Sequence, residues 1–227
     1  MRRVWRSDSQ YAGAGPRGLV TARRRFPVQS SIVYRLGDSL YINLTNRCTN
    51  DCEFCIRRTS DGVGGERLWL DQEPSVEQVI EELEKAPTAH LKEVVFCGFG
   101  EPMMRLDEVK AIAKWLKERG MYVRMNTNGH GNLIHGRNVV PELAGLVDCM
   151  SISLNASNAA AYDALCHPIY GRQAFKAVIS FARECKKHIP RVVLSVVQVP
   201  GVSIWGCRRI ASKLKAEFRV RHYDSHI

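Results

Sequence analysis

From about residue 35 onward, the apolar positions switch back and forth between two spacings. Short apolar runs give way to longer stretches whose apolar residues recur at helical intervals, and the alternation repeats six times. Strand followed by amphipathic helix, over and over, is the pattern of a parallel α/β architecture. The predicted strands are 39–45, 93–99, 122–127, 147–154, 191–199 and 218–223.

The helices between them each carry one apolar stripe. Ser75 followed by Gln78 forms a capping box, after which Val76, Val79, Ile80 and Leu83 share a face. Val109, Ile112, Ala113 and Leu116 line the next helix, which Gly120 stops. Phe175, Val178, Ile179 and Ala182 stripe a later helix, and Ile204, Cys207, Ala211 and Leu214 the last. Six parallel strands with helical crossovers form either an open doubly wound sheet or a partly closed barrel. Both gather ligands at the carboxyl ends of the strands, where the polar and glycine-rich motifs of this chain fall. No internal repeat and no linker to a second domain is evident, so residues 34–227 read as one domain behind an extension, 1–33.

The 227 residues are of ordinary globular composition, 45% hydrophobic and 25% charged. No apolar run approaches the roughly 18 residues needed to span a bilayer. Ser7, Asp8, Ser9 and Gln10 occupy the place where a secretory signal needs its apolar stretch, which predicts a cytoplasmic protein. The formal charge of +10 divides unevenly: residues 1–26 hold seven arginines against Asp8, a net of +6, leaving +4 for the rest. That glycine- and arginine-rich extension shows neither period and is expected to lack regular structure. It is read as a solubilising tail in preference to a nucleic-acid-binding arm. The modestly basic body suits a substrate bearing phosphates or carboxylates.

Eight cysteines without a secretory signal point to reduced thiols, for which close spacing means metal or catalysis. Cys48, Cys52 and Cys55 form a CxxxCxxC run just after the first predicted strand, with Phe54 before the last. A structural zinc site wants a fourth ligand at similar spacing, and none follows. On a four-iron cluster, three thiolates leave one iron open to a small molecule. Cys185 and Cys207 lie on apolar helix faces, Cys97 and Cys149 fall in strands, and Cys166 lies in a loop-like stretch, so no second cluster is expected.

The other strand ends carry their own motifs. Cys97, Gly98, Phe99, Gly100, Glu101 and Pro102 follow the second strand. Glycines there let backbone approach a ligand, and the Glu101 carboxylate can pair with an ammonium group. Asn126, Thr127, Asn128 and Gly129 close the third strand in a turn. Ser153 and Asn155 point to the face opposite Leu154 at the end of the fourth. Val199, Pro200 and Gly201 follow the fifth. Arg57 and Arg58 stand beside the cysteine loop, and Arg221 and Tyr223 share a face of the last strand, as candidates to hold a substrate anion. His130, His135, His167 and His222 are read as solvated.

CxxxCxxC with an aromatic before its last cysteine, followed in order by these strand-end motifs, resembles the radical S-adenosylmethionine (SAM) superfamily. The resemblance implies an α/β fold with a partial (β/α)6 TIM-like barrel, a [4Fe-4S] cluster on Cys48, Cys52 and Cys55, and S-adenosyl-L-methionine as cosubstrate. It assigns contacts with that cosubstrate to Phe54, Gly98, Phe99, Gly100, Glu101, Asn126, Asn128, Ser153, Asn155 and Val199. The implied chemistry begins with one electron from an external donor of the flavodoxin or ferredoxin type. Homolytic cleavage to methionine and a 5′-deoxyadenosyl radical follows, and the radical abstracts hydrogen from a substrate. Within the superfamily the stretches 34–58, 153–158, 200–202 and 218–223 resemble the TatD-linked radical SAM proteins. That resemblance and the charge lean toward nucleotide- or nucleic-acid-related chemistry. Two rival readings are an activase that places a radical on a protein partner and a cluster- or zinc-binding module that recognises RNA.

Overall fold

A computed structural model describes residues 29–87 and 90–223. The arginine-rich segment 1–26 and the reading of it as a tail lie outside the described residues. Strands β1 (Val33–Leu36) and β2 (Ser39–Ile42) form an antiparallel hairpin, and a minor hairpin, β3 (Gly62–Val63) and β4 (Glu66–Arg67), follows the cysteine loop. The chain then runs through α1 (Val76–Lys85), β5 (Glu93–Phe96), α2 (Leu106–Glu118), β6 (Val123–Thr127), α3 (Gly131–His135) and β7 (Cys149–Ser153). It closes with α4 (Ala159–Cys166), α5 (Gln173–His188), β8 (Arg191–Gln198), α6 (Ile204–Lys213) and β9 (Glu217–His222).

The main sheet has seven strands in the order β1-β2-β5-β6-β7-β8-β9. All of its ladders are parallel except β1 with β2. The six predicted parallel strands are therefore present, and β1 is an added antiparallel edge. Among the described residues no ladder joins β9 to β1, so the sheet is an open partial barrel.

Strand alternation separates an apolar face from a polar one. In β6, Val123 and Met125 are fully buried, whereas Arg124 and Asn126, which alternate with them, are only half-buried. In β7, Met150 and Ile152 sit in the core while Ser151 and Ser153 turn the other way. The helices cover the apolar face with the stripes their sequence predicts. Val79 and Leu83 of α1 are buried there, with Val109, Ile112, Ala113 and Leu116 of α2. The α5 stripe is rotated slightly from expectation: Phe181 and Cys185 join Val178 and Ala182 in the core, and Phe175 and Ile179 are only half-buried. The Ser75–Gln78 capping box closes reciprocally, and Gly120 takes φ +70° beyond α2.

The expectation of a loop around Cys166 is corrected. Asn158 caps a helix of small residues whose last member is Cys166, fully buried, and His167 ends it in the left-handed conformation. No helix among the described residues is long and apolar enough to cross a membrane.

Candidate functional site

A cavity of about 350 Å3 opens at the carboxyl ends of β2, β5, β6, β7 and β8. Cys48, Cys52, Phe54 and Cys55 form one wall, and Glu101, Asn126, Asn128, Ser153 and Asn155 contribute from successive strand ends. Arg221, His222 and Tyr223 reach it from β9 and the residue beyond. Residues predicted from well-separated stretches of sequence thus share one cavity.

The cysteine loop is held by a buried polar network. His130 is 0% exposed, and its two ring nitrogens lie 2.8 Å from Thr49 Oγ1 and 3.1 Å from Tyr162 Oη. Asn128 Nδ2 donates to the same Thr49 hydroxyl at 2.8 Å, and Asn50 Nδ2 donates to Tyr162 Oη at 3.0 Å. Thr49 and Asn50 are the residues directly after Cys48, so β6 and α4 together fix the loop that carries the thiols. Burial lowers the His130 pKa to about 4, which keeps the ring neutral, with one nitrogen accepting and the other donating. The expectation of a solvated His130 is corrected: the position after a strand-end turn is covered by α4 and Tyr170. His135 bonds the Met103 carbonyl at 2.8 Å and His167 faces Glu53 at 2.5 Å, while His222 lines the cavity.

Glu101 is 3% exposed and uses both carboxylate oxygens within the chain. Oε1 accepts from Met103 N at 3.1 Å and Thr127 Oγ1 at 2.7 Å, and Oε2 accepts from Asn128 N at 2.7 Å. Burial raises its pKa to about 7, against the pull of these donors. In this structure the carboxylate ties the β5 loop to the end of β6.

Several predicted contacts lie elsewhere. A Cβ on Gly98 would meet Asn43 Oδ1 at 2.0 Å, and one on Gly100 would meet Thr45 O at 2.3 Å. These glycines let the β5 loop pack against the β2 loop, a tighter constraint than the ligand approach expected of them, and of the two only Gly100 lines the cavity. Phe99 turns away into a small core with Tyr34 and Leu68, edge-on to Trp69. Val197, one strand alternation before Val199, lines the cavity in its place. Arg57 and Arg58 fold back onto the cysteine loop: Arg57 Nε donates to Cys55 Sγ at 3.3 Å, and Arg58 Nε donates to the Cys52 carbonyl at 2.9 Å. Cys97, read from sequence as a strand residue that opens the glycine motif, lines the cavity. Its position as the first residue after β5 is the signal in the sequence that points there.

The donors suit an iron–sulfur cluster. Cys48, Cys52 and Cys55 are free and partly accessible on one short loop. Among the described residues no three Cys, His, Asp or Glu side chains converge on a single ion. A cubane, which takes each thiolate on a different iron, does not require that convergence. Burial pushes the Cys48 thiol up to about 12, with the Glu101 carboxylate acting in the same direction. The Cys52 thiol is raised by its contact with Cys166 and by burial. Loading must displace those protons, so it is coupled to pH.

The Radical SAM superfamily profile matches residues 42–214. The chain belongs to this superfamily, whose members are enzymes that use a [4Fe-4S] cluster and S-adenosylmethionine and draw on an external reductant. It is 28% identical over 170 residues to the tungsten-containing aldehyde ferredoxin oxidoreductase cofactor-modifying protein of Pyrococcus furiosus, covering 70% of this chain and 43% of that protein. It is 26% identical over 161 residues to an uncharacterised protein of Methanocaldococcus jannaschii, covering 70% of this chain and 47% of the relative. The chain thus spans less than half the length of either. A solved structure of TYW1 with a lysine-pyruvate adduct bound shares the fold, with a TM-score of 0.59 and 14% identity over 82% of this chain and 65% of that one.

Proposed function

We propose that Cys48, Cys52 and Cys55 hold the cluster and that this chain is a hydrogen-abstracting enzyme of the TatD-linked group acting on a small substrate, nucleotide-related in kind. The observation that carries the reading is the shared cavity, with three free cysteines on one wall and polar strand-end side chains on the other. When bound, the cluster and S-adenosylmethionine supply reductive cleavage of the sulfonium and the radical that takes hydrogen from substrate. The chain's own residues orient and enclose. The Thr49–His130–Tyr162 network fixes the cysteine loop. Ser153, Asn126 and Asn155 offer hydroxyl and amide groups to the polar parts of the cosubstrate. Asn155 adopts φ +53° and accepts from Val197 N at 3.3 Å, so its position is set by β8. The stretches 34–58 and 153–158 support the TatD-linked assignment.

The test is formation of 5′-deoxyadenosine from S-adenosylmethionine by anaerobically reconstituted protein with dithionite. Cleavage that depends on Cys48, Cys52 and Cys55 is expected. A fully loaded protein that leaves the cosubstrate intact would overturn the reading.

A further inference from the structure

Below the cysteine cavity a second chamber, also about 350 Å3, occupies the concave face of the sheet. Asn126, Ser153 and Arg221 line both, so the two adjoin. The lower chamber has no aliphatic side chain in its lining. Its floor is set by register: Ser153 of β7 pairs with Ser195 of β8, which pairs with Arg219 of β9, a row of polar side chains across three strands. One strand alternation further along β9, Arg221 stands at the junction of the chambers and donates to Ser153 Oγ at 3.3 Å.

The charges in this chamber do not cancel. Arg124 is taken by Glu93 through two contacts, at 2.9 and 2.7 Å. Glu217, the acid on β9, is taken by Arg191 at 2.8 Å. Among the described residues neither Arg219 nor Arg221 forms an ion pair, although both line the chamber. Arg219 and Arg221 lie two residues apart on β9, so both turn to the same face of the sheet. Two guanidinium groups on one face beside serine hydroxyls, with Glu93, the one acid in the chamber's lining, already held by Arg124, are complementary to an oxyanion.

We infer that the substrate is an acid, a phosphate or carboxylate, whose anionic group is gripped by Arg219 and Arg221 in the lower chamber. The remainder of the molecule projects upward past Ser153 into the cysteine cavity. This rests on the hydrogen-abstraction reading for its purpose, but the anion site is tested independently of it.

The experiment is calorimetric titration of the reconstituted holoenzyme, saturated with S-adenosylmethionine and without reductant, using inorganic phosphate and malonate as separate probes. At least one probe should bind, and which one binds assigns the acid class. Arg219→Gln and Arg221→Gln should each weaken it about tenfold or more, whereas Arg183→Gln, on the outer surface of α5, should leave it unchanged. Arg219→Lys retains the charge and should keep most of the affinity, which separates loss of a contact from loss of fold. No binding of either anion by wild-type protein, or wild-type affinity in both glutamine variants, would overturn the inference. Cosubstrate cleavage by the wild-type protein is read separately: if cleavage fails while the anion still binds, the hydrogen-abstraction reading falls and the anion site stands.

Discussion

The two walls of the site are built on opposite principles. On the cysteine side Thr49, Asn50, Asn128, His130 and Tyr162 are buried and bonded to one another across three elements. On the far side β9 is an edge strand that, among the described residues, forms a ladder with β8 alone, and Arg219, Arg221 and His222 are exposed along it. A rigid group held by three ligands needs its loop in place beforehand, and a buried network of paired polar groups supplies that rigidity. A wall that must admit and release a substrate gains from accessible side chains and unmatched charge.

The rigid wall is broken most severely at Glu101, its anchor. Glu101→Ala leaves two buried backbone N–H groups and the Thr127 hydroxyl without their acceptor, a loss of roughly 3–5 kcal/mol. Glu101→Gln should recover part of this, because one amide oxygen still accepts while the NH2 faces a donor. Chemical denaturation of the two variants measures the difference. If Glu101→Ala were as stable as wild type, the carboxylate would not be the tie between β5 and β6.

His130→Ala should cost roughly 2–4 kcal/mol, from the cavity it leaves and from the hydrogen bonds that the ring makes with Thr49 and Tyr162. The two buried groups also oppose each other in pH. His130 has its pKa lowered to about 4 from 6.5, so its contribution is present above pH 6.5 and is lost as pH falls toward 4. Glu101 has its pKa raised to about 7 from 4.5, so its contribution is full below pH 4.5 and is lost as pH rises through 7. Between about pH 4.5 and 6.5 the two slopes cancel in part. A His130→Gln variant should therefore gain stability on acidification more steeply than wild type across that window. Parallel pH profiles would contradict the buried, neutral ring.

The two arginines beside the loop sharpen the contrast at a smaller scale. Arg57 is half-buried and donates to Cys55 Sγ and the Asn46 carbonyl, so Arg57→Ala should cost about 1–2 kcal/mol. Arg58 is exposed and pairs with Asp51, so Arg58→Ala should cost less than about 1 kcal/mol. Equal losses in thermal or denaturant unfolding would mean that burial does not separate them.

What is legible along the chain follows from periodicity. Alternating Arg124, Asn126 and Ser151, Ser153 mark the polar face, and the helical stripes mark the apolar one. The β1 strand escapes such a reading because four residues, only one of them fully buried, carry little period of their own; its partner β2 makes it a strand. α4 escapes it because its small residues give a weak stripe. In the site, CxxxCxxC is legible as a local motif, whereas the His130–Tyr162 contact joins residues 32 apart and depends on how α4 folds back. Gly98 is legible as a need for space, but the space is taken by Asn43. Arg57 and Arg221 look alike in sequence, as basic residues beside motifs. Only β9 register puts Arg221 in the chamber, and only the turn after Cys55 sends Arg57 back to the loop.

The central claim is that the clamped loop holds a cluster through three thiolates, and iron and acid-labile sulfide content after anaerobic reconstitution tests it most directly. The expected result is about four irons and four sulfides per chain for wild type, with Cys48→Ala, Cys52→Ala and Cys55→Ala each losing the cluster and Cys185→Ala, buried on α5, retaining it. One zinc per chain with no iron or sulfide would contradict it.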